Sequence, residues 1–304
     1  EKAEQCYLQA LQIEYNNTAV DPLTDYYGTP LTTDCDIDDK VDLMSAASPE
    51  DRLIMVTHNT PNIITHLISL GNSYREQQKY STAEAYYRKS LQFMHDLHGE
   101  GAAVKQAALL LDSLATNYIY MKQYNKAEDY YLRALTTYRQ ISKGADSLFT
   151  AGTLHNLAVN YRHMKQYNEA ENFYLQALAM YRQVLRGDAS VDIATTLGNT
   201  ATNYRHMKRY DKAEYYYLQA LSTYRQISRG ADTNSVHIAN TLTNFANNYR
   251  NMKEYEKAEK YYLRALSRYR KLSQRAYSVD IANTLYDRGH NYSSAGNERR
   301  AREV

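Results

Sequence analysis

A tyrosine followed nine residues later by an alanine recurs six times in this 304-residue chain: Tyr74/Ala83, Tyr118/Ala127, Tyr161/Ala170, Tyr204/Ala213, Tyr249/Ala258 and Tyr292/Ala301. The tyrosines stand 44, 43, 43, 45 and 43 residues apart. A period of that size implies a stack of similar units, each burying its apolar face against the next, rather than one globular core. Within a unit the rhythm is helical. Leu154, Leu157, Ala158 and Tyr161 fall at i, i+3, i+4 and i+7; Ala170, Tyr174, Ala177, Leu178 and Tyr181 repeat the pattern after Tyr167. The small residues at 170 and 177 let two helices approach closely, so each unit reads as an antiparallel hairpin and the fold class as all-α. Gly187, matched by Gly144 and Gly230, suits the left-handed close of a second helix. Asp192 or Asp280 is expected to cap the next first helix.

The units fall at 61–100, 105–144, 148–187, 191–230 and 236–275, within one array spanning 1–304. Residues 1–13 read as a second helix without its first, and 279–304 as an incomplete last unit, so the chain is expected to be cut from a longer one. Between them and the first full unit, residues 14–60 carry ten acidic side chains against Lys40 and Arg52, a charge of −8. The rest of a chain whose total is +2 therefore stands at +10, a basic scaffold with an acidic insertion or degenerate hairpin. Asp34, Asp36 and Asp38 have the spacing that opens a calcium loop, but Asp39 replaces the mid-loop glycine and Ser45 the closing glutamate. The stretch reads as a solvated acidic loop, or as an internal pseudo-ligand in which residues 21–42 lie against the basic groove of the same array.

Two cysteines give no disulfide framework, and no apolar run reaches the ~20 residues needed to span a bilayer. A cytoplasmic protein without cofactor is expected. The 32 tyrosines sit at fixed repeat positions, where they can fill space between helices while their hydroxyls reach the edge of a thin two-layer array. The other reading is an aromatic ligand surface.

The positions Leu154, Leu157, Ala158, Tyr161, Ala170, Tyr174 and Ala177 resemble the tetratricopeptide repeat (TPR), and more closely the long-period repeats of kinesin light chain cargo-binding domains. That flavour lies in Leu-x-Asn-Leu-Ala-x-x-Tyr-Arg, met at Leu154 to Arg162 and degenerately at Leu197 to Arg205 and Leu242 to Arg250, and in Lys165 to Glu171. The resemblance covers residues 61–304 and the half hairpin at 1–13. It implies a right-handed α-α superhelix, a TPR solenoid, acting as a protein-interaction scaffold. The proline that often closes the second helix is absent, with Arg139, Arg182, Arg225 and Arg270 in its place. In the last unit Asp287, Arg288 and Ser293 replace asparagine, leucine and arginine, which suggests a frayed or capping unit.

In such a superhelix the first helix lines the inner face. Asn156, Asn199 and Asn244 share one position there; Arg75, Arg162, Arg205 and Arg250 each follow the repeat tyrosine, with His163 and His206 beyond and Asn247 at a neighbouring inner position. An asparagine amide can satisfy a peptide backbone whatever its side chains, and guanidinium forks pair with carboxylates. The resemblance implies that these asparagines and arginines hold cargo peptides. The expected ligand is an extended, acidic or mixed peptide; the alternative for these residues is that they are ordinary solvated positions of the first helix. A different functional class is a regulatory or sensor arm contacting its own effector domain.

No phosphate loop, Cys-x-x-Cys pair or nucleophile elbow is present. His95, His98 and Glu100 lack a further metal ligand nearby, and His163 and His206 recur with the repeat, so neither a metal site nor catalysis is expected. Nucleic acid binding is disfavoured because lysines and glutamates interleave, as at Lys257, Glu259 and Lys260, without a continuous basic stripe.

Overall fold

A computed structural model describes residues 60–98, 104–143, 147–228, 235–271 and 278–296. The acidic stretch, the first half hairpin, Gly144, Gly230 and Ala301 lie outside the described residues, and so do the side chains of His95, His98 and Glu100. Among the described residues there are eleven helices: α1 Thr60–Glu76, α2 Tyr80–His98, α3 Val104–Tyr120, α4 Tyr124–Ile141, α5 Leu148–His163, α6 Tyr167–Val184, α7 Val191–His206, α8 Tyr210–Ser228, α9 Ser235–Asn251, α10 Tyr255–Lys271 and α11 Ser278–Ser294. They alternate as the first and second helices of successive hairpins. The chain divides into two compact units, Glu1–Gly144 with α1–α4 and Ala145–Val304 with α5–α11.

The repeated side chains explain the hairpin. Ala127, Ala134, Ala170, Ala177, Ala213, Ala220, Ala258 and Ala265 are completely buried on the second helices, where the absent bulk brings two helix axes together. The tyrosine doublets divide their labour. The first member stacks on the repeat tyrosine, as Tyr86 on Tyr74, Tyr130 on Tyr118, Tyr216 on Tyr204 and Tyr261 on Tyr249, with centroids 5.3 to 5.4 Å apart. The second member, Tyr87, Tyr131, Tyr217 or Tyr262, is buried. Its hydroxyl meets the first helix at Asn72 (2.7 Å), Thr116 (2.9 Å), Thr202 (3.0 Å) or Asn247 (2.6 Å). The tyrosines of these positions are therefore packing residues.

The first helices α1, α3, α5, α7 and α9 end on a non-glycine residue in the left-handed region, Gln78, Lys122, Lys165, Lys208 and Lys253, with φ between 58° and 64°, whereas α11 ends on Gly296 with φ +74°. The next amide then reaches back five residues, as from Gln166 to the Tyr161 carbonyl (2.9 Å), which closes the helix and starts the second one. Gly187 takes φ +84° after α6 as its position predicts. The helix caps differ from expectation. Ser147 and Ser190 cap α5 and α7 by accepting from the amides of Thr150 and Ile193; Asp192 and Asp280 sit inside the first turn, where a negative charge suits the helix dipole.

Two hydrogen bonds recur between one hairpin and the next. Asn117, Asn203, Asn248 and Asn291 each donate from Nδ2 to the first-residue carbonyl of the preceding second helix, at Tyr80, Tyr167, Tyr210 and Tyr255, over 2.8 to 3.2 Å. The repeat tyrosines Tyr118, Tyr204 and Tyr249 donate to Glu84, Glu171 and Glu214 (2.6 to 2.7 Å). Burial chiefly, then the neighbouring glutamate, raises the pKa of Tyr204 and Tyr249. In the last hairpin α11 is formed through Ser294, and Arg288, in the leucine position, binds Glu259 from Nε (2.8 and 3.0 Å) and Nη2 (2.6 Å).

Candidate functional site: the inner face of the second unit

Within the second unit the first helices α5, α7, α9 and α11 touch their successors directly, so they form its inner side. Along α7 and α9 that side is built from amides and hydroxyls. Thr195, Asn199, Asn240, Asn244, Asn283 and Asp280 line a cavity of about 330 Å³ across α7, α9 and α11. The Tyr224 hydroxyl meets Thr195 (2.9 Å) and the Tyr269 hydroxyl donates to Asn240, so the second helices fix two of the wall residues from behind.

The three asparagines differ in their surroundings. Asn244 is half-buried, lines the cavity and makes no hydrogen bond among the described residues. Asn199 is also half-buried, and its amide lies 3.2 Å from His155 Nε2. His155 Nδ1 lies 2.8 Å from the Thr196 hydroxyl, which itself donates to the Asp192 carbonyl. That chain assigns the ring proton to Nδ1 and leaves Nε2 to accept from Asn199. Burial first, and Arg162 second, push the His155 pKa down to about 4, so the ring is neutral near pH 7. Asn156 occupies the matching half-buried position on α5.

The arginines also differ. Arg75 belongs to the first unit, beside the Tyr87 hydroxyl, whose pKa burial raises to about 12 while Arg75 opposes the rise. Arg162 Nε donates to the Tyr174 hydroxyl at 3.4 Å. It does so where Val159 stands in the place that Thr202 and Asn247 hold in the next two hairpins. Arg205 is half-buried, and its Nε is buried with no hydrogen-bond partner. Arg250 is already engaged, its Nη1 donating to the Asp287 carbonyl (3.1 Å) and lying 3.4 Å from Asp287 Oδ1. Asp287 occupies the register of the three asparagines, and its Oδ2 accepts from Asn247 Nδ2 (2.9 Å).

Asn247 corrects the sequence reading. It is 8% exposed and both ends of its amide are satisfied inside the fold, by Asp287 and by Tyr262, so it is not open to a ligand. His163 and His206 are exposed. His206 lies flat on Tyr167 (5.6 Å, 2°), and burial of that face, then Arg205, Arg162 and His163, push its pKa down to about 4. Burial and then Arg162 also lower the pKa of His163. Sequence reasoning missed His155, the cavity walls Thr195, Asn240 and Asn283, and the capture of Arg250 by Asp287. The departure of Asp287 from the repeat pattern was the one available signal for the last of these.

Stacked helical hairpins with an amide-rich inner face and a row of guanidinium groups define a helical repeat protein of the solenoid class. Solved structures share the fold. One is BtubC (BKLC) from P. vanneervenii, 21% identical, with a TM-score of 0.62 over 79% of this chain and 93% of that one. A putative kinesin light chain from Podospora anserina with nearly identical TPR-like repeats is 14% identical, at 0.56 over 69% and 96%. NprR in complex with its cognate peptide NprX is 17% identical, at 0.56 over 88% and 75%. A search among curated proteins returns no matching relative. The chain belongs to the tetratricopeptide repeat family, whose pattern matches residues 105–183, 149–226 and 237–304, with a further match at 63–101. Among the described residues no helix is long and apolar enough to cross a membrane.

Proposed function

We propose that the second unit is a non-catalytic binding scaffold that takes an extended peptide along α5, α7 and α9, in a cytoplasmic setting. In this reading Asn156, Asn199 and Asn244 hold the peptide backbone, and Arg162 and Arg205, flanked by His163 and His206, receive its carboxylates. Arg75 serves the equivalent place in the first unit. One observation carries the acidic preference: where the asparagine register holds Asp287, the preceding arginine is bound by it. Arg205 and Arg162 face Asn244 and Asn199 in that register instead, so a ligand carboxylate would supply what Asp287 supplies to Arg250. The NprR–NprX complex shows that this fold can present a peptide site, which supports the reading without specifying this chain's ligand.

Direct binding of fluorescent peptides tests it. Acidic peptides should bind more tightly than their glutamine counterparts. Arg205→Ala should weaken that preference, a loss of about fivefold for one solvent-screened ion pair, with circular dichroism unchanged. Equal binding of acidic and neutral peptides to the parent protein would refute the site.

A further inference from the structure

The cavity across α7, α9 and α11 contains one carboxylate, Asp280, in a wall otherwise made of neutral amides and hydroxyls, with His237 lying flat on Tyr224 at 6.2 Å. The Asp280 side chain makes no hydrogen bond or ion pair among the described residues; only its backbone carbonyl is used, by Thr284 (2.8 Å). A first-turn aspartate also serves the helix dipole, as Asp192 does on α7, where it is exposed. Asp280 differs in being half-buried at the side of a cavity that Asn244 also lines. The inner face therefore has a charge polarity: guanidinium groups toward the C-terminal ends of its helices and, near the N-terminal end of α11, a carboxylate without an ion pair among the described residues.

Resting on the peptide reading above, we propose that the ligand is dipolar: besides the acidic residue held by Arg205, it carries a lysine or arginine that enters this cavity and pairs with Asp280. The register fixes the spacing. Asn244 and the α9 position equivalent to Asp280 are seven residues apart, about 10 Å of helix rise. With the step across to α11 added, about three to five extended residues separate the two ligand charges. The polarity also sets the direction of the chain, since an antiparallel peptide would bring its basic residue to Arg205.

Panning a phage-displayed random dodecapeptide library on the protein tests this. The expected sequences carry an acidic and a basic residue at that spacing, in one order. A synthetic peptide of that class should lose about fivefold in affinity for Asp280→Asn or when its basic residue becomes glutamine, and the two changes together should cost no more than either alone. Asp280→Lys should reverse the choice and favour glutamate at the same peptide position, which a merely unfolded variant could not do. Acidic sequences without the basic partner would overturn the dipolar ligand and leave the acidic reading standing. A selection with no acidic enrichment would overturn both.

Discussion

At the scale of single residues, His155 links the fold to the inner face. It receives Asn199 on one ring nitrogen and donates to Thr196 from the other, an arrangement possible only for the neutral ring. Its pKa is depressed from 6.5 to about 4 in the folded chain. The unfolded chain therefore takes up the proton first, so stability is complete above about pH 6.5 and falls as the pH drops toward 4. The loss is on the order of 3 kcal/mol at most. His206, also shifted to about 4 but exposed, adds a smaller slope in the same window. We expect His155→Gln to flatten most of the fall in thermal midpoint between pH 6.5 and 4, measured by circular dichroism. Retention of the full slope would mean that the ring is not the buried neutral acceptor described.

At the scale of the hairpin, the helices and their contact faces were legible in the sequence because alanine and tyrosine recur at helical spacing. Two features were not. The ends of the first helices α1 to α9 have no glycine signal, since lysine or glutamine holds the left-handed position that Gly296 takes after α11, and five-residue backbone closure sustains it. The asparagines that precede the repeat tyrosine looked like further polar residues, although an asparagine kept in mid-helix against its propensity was a usable sign of an internal partner. Asn203 donates from α7 to the Tyr167 carbonyl at 2.8 Å, while its own Oδ1 is buried without a partner. Removing the amide loses that bond and a weak one to Met207 Sδ (3.7 Å) but also one buried orphan, so Asn203→Ala should cost only about 1 kcal/mol. Asn203→Asp should cost more than about 3 kcal/mol, because it buries an acceptor or charge against a carbonyl. Urea midpoints of the two variants compare them; equal losses would show that donation to Tyr167 is not what holds the hairpins in register.

At the scale of the whole molecule, repetition places like groups in rows, but the rows are not uniform, and their exceptions carry the information about function. The asparagine and arginine rows could be written from the repeat alignment. Which members are open could not, because that depends on contacts between neighbouring hairpins: Tyr262 and Asp287 take up Asn247, and Asp287 also takes up Arg250. Asp287 thus sets the last open arginine of the described second unit at Arg205. Replacing it with asparagine restores the pattern of the other repeats while keeping the backbone carbonyl that Arg250 also uses at 3.1 Å. The half-buried ion pair is lost, at a cost to stability of about 0.2 to 1 kcal/mol, and a guanidinium is released to the inner face. We expect Asp287→Asn to lower the thermal midpoint slightly and to raise affinity by up to about fivefold for acidic peptides long enough to reach the next repeat, with short peptides unaffected. Titration of a nested series of labelled acidic peptides against both proteins measures this, and the proposed alignment of ligand with repeat fails if the longer peptides gain nothing.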